Sequence, residues 1–163
     1  MNDQLVKKLK DREKLGIKRQ LKNNSELIDF VSNDYLGLSR SKALFDRIKN
    51  YDYSDVINLN GSTGSRLLAG HSLEIEQLES KLAQIFNSPA TLLFNSGYVA
   101  NMALLSCIPQ REDTIIYDSL AHICIKEGAA LSKATRYSFR HNDCNDLETK
   151  LTQAKGNIYV VIE

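Results

Sequence analysis

Cysteine is scarce in this chain: Cys107, Cys124 and Cys144 are the three among 163 residues. They are odd in number and too far apart for a C-x-x-C site, which argues against a disulfide framework and fits a reducing compartment. Histidine is equally sparse. His71, His122 and His141 form no H-x-x-x-H pair, so the spacing points to no metal site. Long apolar runs are missing as well. No stretch approaches the roughly 20 residues that a membrane-spanning helix needs, and the amino terminus lacks the apolar centre of a secretory signal. An excess of one charge is also absent, because the formal net charge is +1. That leaves no electrostatic footprint for nucleic acid. The expectation is a cytoplasmic protein with neither nucleic acid nor membrane among its partners.

What remains is ordinary globular material, 42% apolar and 25% charged, long enough for one domain with a real core. One stretch is uneven: Lys7, Lys8, Lys10, Arg12, Lys14, Lys18 and Arg19 crowd near the start. They read as a solvated helix face, or as a basic arm that meets an anionic substrate.

Residues 3–21 read as a charged helix with few apolar anchors. A short strand is expected over 27–31, followed by turn chemistry at Ser32-Asn33-Asp34 and a short helix after Ser41. Residues 50–70 look irregular, punctuated by Gly61, Gly64 and Gly70. From Ser72 the pattern becomes regular. Ser72 suits an N-cap, Glu74 and Glu76 suit the positive end of a helix, and Leu78, Leu82 and Ile85 make an apolar stripe. Strands are expected over 91–94, 114–118, 135–139 and 158–162, with helices over 97–107, 122–132 and 146–154. Alternation of this kind predicts an α/β fold with a mostly parallel sheet and flanking helices. The all-apolar 158–162 stretch suits a central strand, and Glu163 follows with no loop beyond it. The expectation is a truncated fold: an arm with a short strand over 1–50, and the incomplete first part of a larger α/β domain over 51–163.

Three motifs bear on chemistry. In Phe94-Asn95-Ser96-Gly97-Tyr98 a strand gives way to a helix, whose free N–H groups and dipole make an anion site. Gly97 would allow close approach of a phosphate, and Tyr98 could lie against a flat ring. The bland alternative is a capped junction with Tyr98 in the core. His122, after Tyr117-Asp118, could stack on an aromatic cofactor or could simply cap a helix. Gly61-Ser62-Thr63-Gly64-Ser65-Arg66 does not fit a phosphate-loop pattern. Its Arg66 is a carboxylate partner or half of a salt bridge.

Taken together, Ser-Asn-Asp-Tyr-Leu-Gly-Leu (32–38), Gly-Ser-Thr-Gly-Ser-Arg (61–66), Ser-Gly-Tyr-x-x-Asn (96–101), Asp-x-x-x-His (118–122) and His-Asn-Asp (141–143) resemble the α-oxoamine synthases. The resemblance implies the fold-type I architecture of pyridoxal-phosphate enzymes, homodimeric, with sites at the subunit interface. It implies pyridoxal 5'-phosphate as cofactor and, as substrates, an amino acid and an acyl thioester. The Asn-Asp-Tyr-Leu-Gly-Leu-Ser run is most similar to the branch that uses L-alanine and a pimeloyl thioester. Other branches, and a non-catalytic subunit of the same fold, stay open.

By position, His122 resembles the histidine that stacks on the cofactor ring. Ser96, Gly97 and Tyr98 resemble the residues at its phosphate and acyl-substrate side. Asn33 resembles an asparagine near the substrate carboxylate, and Arg19 an arginine near the acyl thioester. None of the lysines stands in the context of the family's Schiff-base lysine. That implies a chain inactive by itself and a longer natural protein.

Overall fold

The computed structural model describes residues 2–21, 26–51 and 61–163. Residues 52–60, within the stretch expected to be irregular, lie outside the described residues. The chain divides into two compact units, Met1–Ile57 and Asn58–Glu163.

In the first unit, α1 (Asp3–Lys14) starts at Asn2, whose side chain accepts from Gln4 N at 3.0 Å. It stops short of the expected residue 21 because Gly16 adopts φ +67°. With Gly16 left-handed, Gly16 N–H and Ile17 N–H turn back onto the carbonyls of Glu13 and Arg12, the usual way a glycine closes a helix. The strand expected over 27–31 does not form. Asp29 Oδ1 instead accepts from Val31 N (3.1 Å) and Ser32 N (3.0 Å), and a side chain that bonds its own backbone makes a turn. α2 (Lys42–Lys49) follows Ser41 as expected, and the Ser41 hydroxyl accepts from Leu44 N.

In the second unit, α3 (Leu73–Ile85) carries the expected Ser72 cap and first-turn Glu74 and Glu76. Its apolar stripe is present but not buried: Leu78 is 43% exposed and Ile85 65%. The strand expected over 91–94 is also absent. That segment hangs on α3 instead, with Leu93 N donating to Glu79 Oε1 at 2.7 Å and Thr91 Oγ1 to the Glu79 carbonyl.

From residue 97 the elements alternate: α4 (Gly97–Cys107), β1 (Thr114–Asp118), α5 (Ile123–Leu131), β2 (Thr135–Phe139), α6 (Cys144–Leu151) and β3 (Ile158–Val161). α6 begins two residues before the expected 146, because Asp143 caps it by accepting from Asp146 N. The sheet is parallel throughout, in the order β2-β1-β3. β1 is therefore the central strand. Among the described residues the all-apolar β3 comes last in this three-strand order, with Ile158 and Val160 each 44% exposed.

Ile115 and Ile116 of β1 are fully buried, and successive strand residues point to opposite faces. Ile115 joins Leu105, Ala121, Cys124, Ile125, Ala129 and Ala134 in one cluster between the sheet, α4 and α5. Removing a side chain of this size from water contributes about 1.5–3 kcal/mol. α4 and α5 pack with little room. A Cβ on Gly128 would lie 3.0 Å from Leu105 Cβ and from the Met102 backbone. This contact fixes how near the start of α5 comes to the start of α4.

Candidate functional site

The first turn of α4 and the first turn of α5 meet beyond the carboxyl end of β1. Ser96 is the N-cap of α4, its hydroxyl accepting from Val99 N at 3.2 Å. Ala100 N is bonded to the Ser96 carbonyl. Among the described residues nothing accepts from the N–H groups of Gly97 and Tyr98, and a Cβ built on Gly97 would meet open space. Two unengaged N–H groups at the positive end of a helix suit an anion of phosphate size.

His122 caps α5. Its exposed imidazole accepts from Cys124 N at 3.2 Å through Nδ1, and Cys124 Sγ lies 2.9 Å from the same nitrogen. The rings of Tyr98 and His122 meet edge to face, with centroids 6.0 Å apart and planes at 84°. The Tyr98 hydroxyl donates to Glu127 Oε2, and that carboxylate holds the phenol above its ordinary pKa. The helix-cap reading of His122 is met, and the residue is also exposed beside Tyr98.

The loop that delivers His122 is tethered at its base. Asp118, 6% exposed, accepts from Leu120 N (2.7 Å), from His141 Nδ1 (3.0 Å) and from Asn142 N (3.3 Å). The Leu120 amide first, then His141, hold its carboxyl below the usual range. Lys126 Nζ donates to Ser119 O at 2.6 Å and His122 N to Glu163 Oε2 at 2.6 Å. The His-Asn-Asp motif at 141–143 thus contributes by gripping Asp118 and capping α6.

Ser96, Gly97, Tyr98 and His122 are brought together as expected. Arg19 and Asn33 belong to the other unit, where both are exposed: Arg19 follows α1, and Asn33 lies in the turn built on Asp29. Arg66 takes the salt-bridge role. Its guanidinium forms a two-pronged pair with Glu79 at 2.7 and 2.9 Å, and Arg66 chiefly pulls the Glu79 pKa down to about 2. Sequence reasoning missed Asn101 and Cys124, whose side chains touch at 3.4 Å behind His122. Asn101 belongs to the Ser-Gly-Tyr-x-x-Asn motif, but its partner is 23 residues away and no spacing rule joins them.

Among the described residues no helix is long and apolar enough to cross a membrane, and no group of three or more His, Cys, Asp or Glu could hold a metal ion.

Comparison with known proteins gives these arrangements a context. Residues 25–163 match the sequence model of the family described as Aminotransferase class I and II. Over the whole chain, the sequence is 37% identical to a protein of Emericella nidulans named 8-amino-7-oxononanoate synthase, and it spans 43% of that protein. The structure superposes on the 8-amino-7-oxononanoate synthase of Francisella tularensis with a TM-score of 0.59 and 30% identity, covering 77% of this chain and 34% of that one. It superposes on the serine palmitoyltransferase of Sphingomonas wittichii with a TM-score of 0.67 and 28% identity, covering 78% and 32%. The chain spans less than half the length of the curated relatives it matches.

Proposed function

The chain belongs to the aminotransferase class I and II family, and from that premise we propose that it carries the cofactor end of an enzyme that condenses L-alanine with a pimeloyl thioester. The acyl donor is pimeloyl-CoA or pimeloyl-ACP, carbon dioxide is lost, and the product is 8-amino-7-oxononanoate, an intermediate of biotin synthesis. The observation that carries this reading is the meeting of the open α4 start at Ser96-Gly97-Tyr98 with the exposed ring of His122. The names of the relatives support the choice of substrates.

The residues present fit pyridoxal 5'-phosphate. The unengaged N–H groups of Gly97 and Tyr98 would receive its phosphate, and His122 would lie on its ring. When bound, the cofactor supplies an electron sink for the carbanion formed at the amino acid's α-carbon. The chain's own residues bind and orient. Ser96 keeps the α4 turn in shape, Tyr98 walls the acyl side, and Asp118 with His141 holds the loop that presents His122. In this proposal Asn33 meets the substrate carboxylate and Arg19 the acyl thioester. Residues 51–163 form the first part of the cofactor domain, and residues 1–50 an arm. The protein works as a cytoplasmic homodimer. Because the chain spans less than half the length of its relatives, turnover is assigned to a protein of their length.

The likeness to serine palmitoyltransferase favours a second reading, a sister condensation that uses serine. One experiment separates the two: coenzyme A release by the full-length protein with pyridoxal phosphate, testing alanine, serine and glycine against pimeloyl-CoA and longer acyl thioesters. Release confined to alanine with pimeloyl-CoA is the expected result. Release with serine moves the protein to the sister reaction, and no release with any pair points to a non-catalytic subunit.

A further inference from the structure

We infer that Asn101 and Cys124 are positioning residues for His122, holding its imidazole as the tautomer protonated on Nε2. The inference rests on the reading of His122 as the residue against the cofactor ring. Its starting point is the direction of each hydrogen bond. The Asn101 side-chain amide, on the second turn of α4, donates to Cys124 Sγ at 3.4 Å. The sulfur is the acceptor there, so its own proton is left for another partner. His122 Nδ1 lies 2.9 Å away. The backbone N–H of Cys124 donates to that same Nδ1 at 3.2 Å. The backbone N–H, which can only donate, requires Nδ1 to keep its lone pair, so the ring proton sits on Nε2 and the thiol is the donor in the 2.9 Å contact. The opposite tautomer would set Nδ1–H against the Cys124 N–H, two donors facing one another.

The direction matters for what the ring can do. Cys124 is 2% exposed and part of the core cluster that includes Leu105 and Ile115. Gripping His122 along its Nδ1 edge ties the imidazole to that buried cluster. His122 is an exposed residue, and its ring lies 6.0 Å from that of Tyr98. A helix cap alone would supply one donor, the backbone N–H. The thiol adds a second, and Asn101 orients the thiol. The relay Asn101 to Cys124 to His122 therefore fixes the side chain in rotation and in tautomer before any ligand arrives, the kind of support that preorganised sites take from behind.

Two readouts test this. The first needs no cofactor: ring 15N–1H correlation spectra of the protein, with His122 assigned through His122→Gln. An unprotonated Nδ1 and a protonated Nε2 are expected, persisting in Cys124→Ser and, with the backbone N–H of residue 124 as the one donor left, remaining the major form beside a minor population of the other tautomer in Cys124→Ala. A protonated Nδ1 in the unaltered protein overturns the inference. The second is pyridoxal phosphate affinity of the same proteins, followed by absorbance. Cys124→Ala and Asn101→Ala should each bind about fivefold more weakly, the equivalent of one hydrogen bond, and Cys124→Ser should bind normally. Asn101 is exposed on α4, so its replacement by alanine leaves the fold in place. Equal affinity of all four proteins also overturns the inference. Failure of the unaltered protein to bind pyridoxal phosphate would defeat the functional reading instead, and the tautomer spectra would then decide this one.

Discussion

At the amino end of β1, Asp113 accepts from Gln110 N (2.8 Å), Asn157 N (2.9 Å) and Asn157 Nδ2 (3.1 Å), while Thr114 Oγ1 and Lys155 exchange two hydrogen bonds. At the carboxyl end, Asp118 accepts from Leu120 N, His141 Nδ1 and Asn142 N. Each end uses one buried aspartate as a hub for converging donors, and the two hubs have different consequences. The first staples β3 to β1 and leads to no exposed polar ring. The second holds the short loop that ends at His122, whose ring faces solvent beside an open helix start. One strand thus separates what keeps the fold from what forms the site. Variants at the amino end should cost stability and spare ligand binding. Variants at the carboxyl end should weaken ligand binding by more than their cost in stability explains.

The largest effect is expected at Gly156, in the staple. It sits at φ +64°, and an added Cβ would run into the Glu112 carbonyl. Left-handed strain and a backbone clash cannot both be relieved locally, so Gly156→Ala should destabilise by about 3 kcal/mol. Urea unfolding measures it. The folded fraction should keep normal affinity for pyridoxal phosphate. A variant of native stability would show that the turn before β3 has room to shift, and the division between the two ends of β1 would lose its strongest support.

Ser96 probes the other end. Its hydroxyl satisfies Val99 N and closes the first turn of α4, so Ser96→Ala should cost about 1 kcal/mol as a lost N-cap. Unlike Gly156→Ala, it should weaken phosphate binding out of proportion to that loss, because the N–H groups that would hold the phosphate belong to the turn the cap orders. Inorganic phosphate and pyridoxal phosphate should lose affinity together. Loss of neither would confine Ser96 to a structural role.

The sequence showed what local chemistry dictates. The Ser72 and Ser96 caps were legible because an N-cap and the N–H it satisfies lie within three residues. β1 and β2 were legible from their composition, and His122 from its place after β1. Failures came where a distant or side-chain partner decided the outcome. Residues 27–31 have strand-forming side chains, but Asp29 captures their backbone. Residues 91–94 are claimed by Glu79. The early end of α1 had a signal, Gly16, whose left-handed conformation closes the helix. The thiol behind His122 had none, since a cysteine in a helix looks the same whether it packs or positions.

The smallest effect separates the two aspartates by pH and salt. Both carboxyls are held below their ordinary value of 3.8, Asp113 first by the Gln110 amide and Asp118 first by the Leu120 amide. A depressed folded-state pKa contributes stability that is complete above about pH 4 and is lost as pH falls through the lower folded value. Asp113→Asn and Asp118→Asn should therefore each flatten the acid limb of the stability curve below about pH 4 and leave its slope at neutral pH alone. Salt should tell them apart. All the donors to Asp113 are neutral amides, and moderate salt should not change its share. Asp118 also faces His141, whose side chain is 48% exposed, and the charge on that ring is open to screening. Stability measured at pH 3–5 with and without added salt should show a salt-sensitive acid limb that disappears in Asp118→Asn and survives in Asp113→Asn. Equal salt sensitivity in the two variants would mean that His141 holds Asp118 by hydrogen bonding alone, and the two ends of β1 would then differ in their neighbours and not in their electrostatics.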